Sequence, residues 1–374
     1  MALPLPASSA ADRRYAALDG LRGLAVLLVF CVHAAGNAAG VALGLDFERA
    51  QFGALANVGE RALFWLYRSH HGVFLFFVLS GFLIGRMWWP EPALRYATFA
   101  WRRTLRVYPA FLVAFAASLM FAWSSGTWQP PDVPRLVGNL LFLNGAPGIS
   151  VAAFNVVTWS LFYEMTFYLV FPVVAWWPRR HGSSGGVWLW GTGVALPAVA
   201  TVLGADPLVL CWSLLFVGVA LAVHEDALRD LAGKVPSAAI LIVYFAVTSA
   251  ALVDALSPAI AILAFGGAAL MLVAKALRDD NVIAGALSWP PLRRLGNISY
   301  SFYLTHWMIV VLVARAVEPH ANALGVAGAT AVIFGGGFAA SAVAAAALWW
   351  CAERPYFAWA HGRRHPTASG EPPR

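Results

Sequence analysis

Apolar runs long enough to cross a bilayer recur along the whole chain, and they leave little choice of architecture. A hydrocarbon core takes roughly 20 helical residues to span. Runs near that length lie at about 21–39, 72–89, 107–124, 158–177, 186–204, 208–223, 236–254, 258–275, 298–316 and 325–350. Lipid offers no partner for a backbone N–H or C=O, so such runs must be helices. The expected fold is therefore all-α, a polytopic integral membrane helix bundle of about ten transmembrane helices. Composition agrees, with 60% apolar and 11% charged residues and a mean hydropathy of +0.70, outside the range of soluble domains. One membrane domain is expected over residues 1–358. A polar tail over 359–374, which includes "HGRRHPTASGEPPR", is expected to be disordered.

Charge sets the expected orientation. When the segments between runs are assigned alternately to two sides, 20 of the 25 lysines and arginines fall on one side. Arg49, Arg61, Arg68, Arg135 and Arg315 fall on the other. Basic residues gather on the cytoplasmic side of membrane proteins, which makes both termini cytoplasmic. The pI of 9.6 then reflects topology, and lipid rather than nucleic acid is the expected surroundings. Cys31, Cys211 and Cys351 lie in apolar stretches without paired spacing, so neither a disulfide framework nor a metal site is expected. The small residues of "HAAGNAAG" resemble a leader-peptidase site. A removable leader has no use for Asp19, Arg22 and His33, and no cleavage is expected.

Those three residues stand out in "LDGLRGLAVLLVFCVHA". Arg22 and His33 are eleven residues apart, three turns plus about 20°, so they share a helix face and lie about 16 Å apart along the axis. With Arg22 at the cytoplasmic rim, His33 falls near mid-membrane. An ionisable group at that depth faces a polar cavity or a partner. The alternative is a histidine satisfied by a neighbouring helix. In "FAWRRTLRVYP", Arg102, Arg103 and Arg106 crowd one rim, where guanidinium forks suit phosphate oxygens; topology alone also produces such clusters. In "TWSLFYEMTFYLVFP", Ser160, Glu164 and Tyr168 follow at i, i+4 spacing on one stripe. "LGNISYSFYLTHW" carries Tyr303 and His306 on a polar face, and "CAERPYF" places Glu353 where it can pair with the arginine rim.

Taken in order, these stretches, with "FFVLSGFLIGR" between them, resemble the acyltransferase 3 family of bacterial membrane O-acyltransferases across nearly the whole chain. The resemblance implies ten helices in the cytoplasmic (inner) membrane. It implies transfer of an acyl group, usually acetyl from acetyl-CoA, to a hydroxyl of a surface or lipid-linked carbohydrate or of a secreted natural product such as a macrolide. The catalytic signature of the family falls on Arg22 and His33, its acyl-donor Arg-x-x-Arg on Arg103 and Arg106, and its fourth-span glutamate on Glu164. Arg22 and Arg102 join the expected donor-binding set. Asp19, Ser160, Tyr168, Tyr303, His306 and Glu353 are expected in support. Two departures are visible. Many relatives read Gly-Val-Asp where this chain has Gly72, Val73 and Phe74, and many have a second acid where it has Met165.

In this reading His33 takes the proton of an acceptor hydroxyl as general base; an acyl-histidine intermediate is the variant. A transporter or flippase of lipid-linked saccharide is the rival, since it too places polar groups inside a bundle. It would carry inverted repeats and broken helices, and the sequence displays neither.

Overall fold

The structure is a computed structural model that describes residues 10–69, 71–88, 96–180, 188, 191–253, 255–278 and 280–357. All regular elements among these residues are helical. They are α1 (Ala10–Ala38), α2 (Val58–Tyr67), α3 (His71–Trp88), α4 (Tyr96–Ser124), α5 (Val133–Leu140), α6 (Trp159–Arg180), α7 (Leu196–Val202) and α8 (Leu210–Val223). Then follow α9 (Glu225–Lys234), α10 (Ser237–Leu252), α11 (Pro258–Ala276), α12 (Val282–Leu287), α13 (Pro290–Asn297), α14 (Ser299–Val317) and α15 (Ala321–Leu348).

Among the described residues six helical stretches are long and apolar enough to cross a membrane, or seven if α8 and α9, bent by 96°, form one span. This is fewer than the ten runs in the sequence, for identifiable reasons. The last two runs share one stretch, Ser299–Phe357. It is interrupted by a 3₁₀ turn at Glu318–His320 and by Gly325, whose φ of 63° is not helical. The run at 236–254 forms a shorter apolar helix. The run at 186–204 is seen as a π-turn at Gly191–Ala195 followed by the seven residues of α7, its beginning falling largely outside the described residues. The tail at 359–374 also lies outside them.

Backbone-to-backbone packing holds the centre together. A Cβ on Gly20 of α1 would fall 1.7 Å from the carbonyl oxygen of Leu287, and one on Gly296 of α13 would fall 1.8 Å from that of Asp19. Only hydrogen fits there. The α3/α8 crossing is built the same way: Gly81 faces the Leu215 carbonyl at 1.9 Å and Gly218 faces the Val78 carbonyl at 2.0 Å, again measured from an ideal Cβ. Within lipid there is little hydrophobic drive between helices, so close approach through small residues supplies the packing.

Helix ends and loops are held by buried polar contacts. The Lys275 ammonium of α11 donates to the carbonyls of Ala232 and Val235 at 2.8 and 2.7 Å, satisfying orphan acceptors where α9 ends. Arg135 donates to the carbonyls of Thr127, Ala152 and Ala153 and lies over the Phe154 ring at 4.3 Å. Asn155 then clips this loop to α14 through the Leu304 carbonyl at 2.8 Å. Between α1 and α3, Phe47, Leu55 and Phe64 form a small core of their own with Ala39.

The glycine contacts make a direct test. Gly218→Val should abolish accumulation of folded protein, because its side chain would overlap the Val78 carbonyl. Gly267→Ala, with open space around it, should leave the melting temperature in detergent unchanged or raised.

Candidate active site

Two cavities meet inside the bundle. The first, of about 220 Å³, is lined by Arg22 of α1, Ser80 of α3, Arg103 and Arg106 of α4, and Glu164 and Tyr168 of α6. The second, of about 770 Å³, is lined by His33 and Asn37 of α1 and by Asp46, Glu48, Tyr67 and Trp307, among others. Val73 and Tyr303 line both. The first cavity holds three arginines and one carboxylate. Among the described residues the second is lined by the acids Asp46, Glu48 and Glu318 and by no lysine or arginine.

The three arginines of the first cavity are not equivalent. Arg106 forms an ion pair with Glu353, whose other oxygen accepts from the backbone N–H and hydroxyl of Ser301 at 3.0 and 2.5 Å. Glu353 is buried, so the expected pairing with the rim exists and is an interior bond. The Arg106 guanidinium also lies over the Phe357 ring at 4.6 Å. Arg103 has no carboxylate partner among the described residues. It sits over the rings of Phe99 and Tyr168, each at 5.6 Å, with a contact to the Met87 sulfur at 2.9 Å. Arg22 forms no ion pair or hydrogen bond with a described residue, although Arg106, Asp19, Glu353 and Glu164 all act on its charge. The positive charge open to an anion is therefore that of Arg22 and Arg103. Arg102 is exposed and outside this lining, so the structure does not join it to the other two. Asp19 lies within electrostatic reach of Arg22 and Arg293 but does not line the cavity either.

The stripe on α6 holds as spaced. The Tyr168 hydroxyl donates to Glu164, and the Ser80 hydroxyl does so at 3.1 Å. Tyr303 donates to the Val157 carbonyl at 2.5 Å, so it accepts from Ser160 at 2.7 Å. Arg22 and His33 share a helix but open into different cavities, and Glu164 belongs with Arg22 rather than with His33. His33 has the His306 ring beside it, centroids 5.2 Å apart. Ser80 and Tyr300 in the first cavity and Asp46, Glu48, Tyr67 and Trp307 in the second were not singled out by the sequence. Ser80 sat in view as the lone hydroxyl of "FFVLSGF"; the loop acids had no periodicity to reveal them.

With this geometry in place, comparison with known proteins gives the class. The acyltransferase domain profile of the acyltransferase 3 family matches residues 15–350, and the chain belongs to that family of membrane acyltransferases. It is similar to acyltransferase MdmB of Streptomyces mycarofaciens, 30% identical over 331 residues that make up 79% of each chain. It is also similar to the membrane-bound transacylase BcsY of Komagataeibacter xylinus, 26% identical over 335 residues, 84% of this chain and 78% of that one. No solved structure matches it significantly. Family and helices together make it a multi-pass membrane protein.

The buried pair yields a stability test. Arg106→Ala or Glu353→Ala should each destabilise the protein by about 3–5 kcal/mol, since each leaves one buried charge without its partner. The double variant should lose less than the sum, as read from thermal unfolding in detergent.

Proposed function

We propose that this protein transfers an acyl group, with acetyl the expected one, from acyl-CoA to a hydroxyl acceptor, and that donor and acceptor enter from opposite faces of the cytoplasmic membrane. The observation that carries the reading is the pair of cavities of opposite charge sharing Val73 and Tyr303. In this reading the bundle crosses the membrane about ten times with both termini cytoplasmic. The arginine cavity faces the cytoplasm, where CoA is made. Arg22 and Arg103 hold donor phosphates at its mouth, and the narrow cavity admits the pantetheine arm. Arg106, already paired with Glu353, shapes the wall.

The acceptor occupies the larger cavity. Its indole and phenol faces beside carboxylates and an amide suit a sugar, whose ring stacks while its hydroxyls are hydrogen-bonded. A hydroxyl of a surface or lipid-linked carbohydrate is the first reading, and a secreted natural product bearing such a hydroxyl is the second. His33 removes the hydroxyl proton as the oxygen attacks the thioester carbonyl. A C–O bond forms, the C–S bond breaks, and the proton on His33 passes to the departing CoA sulfur, giving an ester and free CoA and regenerating the base.

The experiment is to supply labelled acetyl-CoA to membranes and follow label into glycan, lipid and small-molecule fractions. At matched protein levels His33→Ala should lower turnover by ~10²–10⁴-fold, the usual contribution of a placed general base, with binding of acetyl-CoA retained. Arg103→Ala should instead weaken apparent affinity for acetyl-CoA, with poor rescue by Lys, which lacks the bidentate fork. Near-normal turnover of a well-folded His33→Ala protein would remove His33 from the chemistry.

Orientation is tested separately with reporter fusions. A reporter after Pro130 should lie outside the cytoplasm and one after Arg374 inside it.

A further inference from the structure

His306 is fully buried in α14 beside His33, and the bonds it makes determine the one it lacks. Its Nδ1 lies 3.1 Å from the Phe302 carbonyl oxygen and 2.8 Å from that of Tyr303. A carbonyl only accepts, so Nδ1 carries the proton, and in a neutral ring Nε2 is then a bare lone pair. That Nε2 is buried and has no hydrogen-bond partner among the described residues. A buried acceptor left without a donor is rare and calls for a role. Flipping the ring to move the lone pair elsewhere would forfeit both carbonyl contacts of Nδ1.

We infer that His306 is a positioning residue for His33: its Nε2 accepts the N–H of the His33 ring, which holds His33 in one tautomer, protonated on the nitrogen towards His306 and unprotonated on the other. The inference rests on the proposed role of His33 as base. A centroid separation of 5.2 Å at 49° leaves room for an N–H···N bond of ordinary length after a small rotation, and apo geometry at catalytic groups is commonly loose. The arrangement does what a carboxylate does for the histidine of a serine protease, fixing the tautomer and supporting the positive charge that develops on the base. No acid at position 74 does this work from α3, since Phe74 stands there with its ring towards Phe265, centroids 6.2 Å apart. The other titratable groups of the acceptor cavity are Asp46, Glu48, Tyr67, Tyr303 and Glu318. The Tyr303 hydroxyl is already engaged, donating to the Val157 carbonyl and accepting from Ser160.

Two near-isosteric variants of the full-length protein separate this role from simple packing. His306→Asn keeps an amide N–H where Nδ1 meets the carbonyls and removes the acceptor at Nε2. His306→Gln can place its Oε1 where Nε2 was. Ring-¹⁵N NMR of protein labelled at its nine histidines, with His33 assigned by loss of its signal in His33→Gln, reports the tautomer directly and without an acceptor substrate. Expected for the wild type and for His306→Gln is a single His33 tautomer; expected for His306→Asn is a mixture. Label transfer from acetyl-CoA by His306→Asn should fall at least about tenfold, with apparent affinity for acetyl-CoA unchanged, and His306→Gln should recover most of it. A single unchanged His33 tautomer in His306→Asn, or equal transfer by the Asn and Gln variants, would overturn the inference. If His33→Gln itself transferred label normally, the reading of His33 as base would fail instead, whatever the tautomer signals showed.

Discussion

Contact between helix backbones at glycine is the constraint on which the remainder of this molecule rests. Helix α1 packs against α12 at Gly20, against α13 at Gly23 and Gly296 and against α3 at Gly72, and at none of these positions is there room for a methyl group. The same helix carries Arg22 into one cavity and His33 into the other. Its rotation and depth therefore set both sites at once. Side-chain packing alone would let such a helix slide by a fraction of a turn; interlocked backbones do not.

Charge inside the bundle is apportioned by what each group can reach. Glu353 sits where the chain leaves α15 through a π-turn, and it gathers Arg106 from α4 and Ser301 from α14. Three elements distant in sequence thus converge on one buried carboxylate. The arrangement takes Arg106 out of competition for ligands and leaves Arg22 and Arg103 as the open cations. An arginine cluster that reads as three equal donors along the chain is in space one structural bond, one exposed residue in Arg102, and one cavity-facing guanidinium joined by another from α1.

The all-helical fold was legible because lipid removes every alternative, and Glu164 with Tyr168 was legible because i, i+4 spacing survives any tertiary arrangement. The His33–His306 neighbourhood was not. It joins α1 to α14 across more than 270 residues, and no periodicity within one helix encodes which other helix it will face. The separation of Arg22 from His33 into different cavities was also hidden, since a shared helix face is a direction and the wall between the cavities comes from Val73 and Tyr303 on other helices. The number of spans was not legible from hydropathy alone, which registers apolar length without seeing the breaks at His224 and Gly325.

The partition formed by Val73 and Tyr303 has an electrical meaning. On the proposed reading polar cavities enter the membrane from both faces, and voltage then no longer falls evenly across some 30 Å of hydrocarbon; it is concentrated over the thin layer that separates them. Each elementary charge carried through the full drop exchanges about 2.3 kcal/mol per 100 mV with the membrane potential. Tyr303 lines both cavities and His306 follows it one turn on, so on that reading a proton moved there would travel a short distance through a steep field, and its position would respond to the energised state of the membrane.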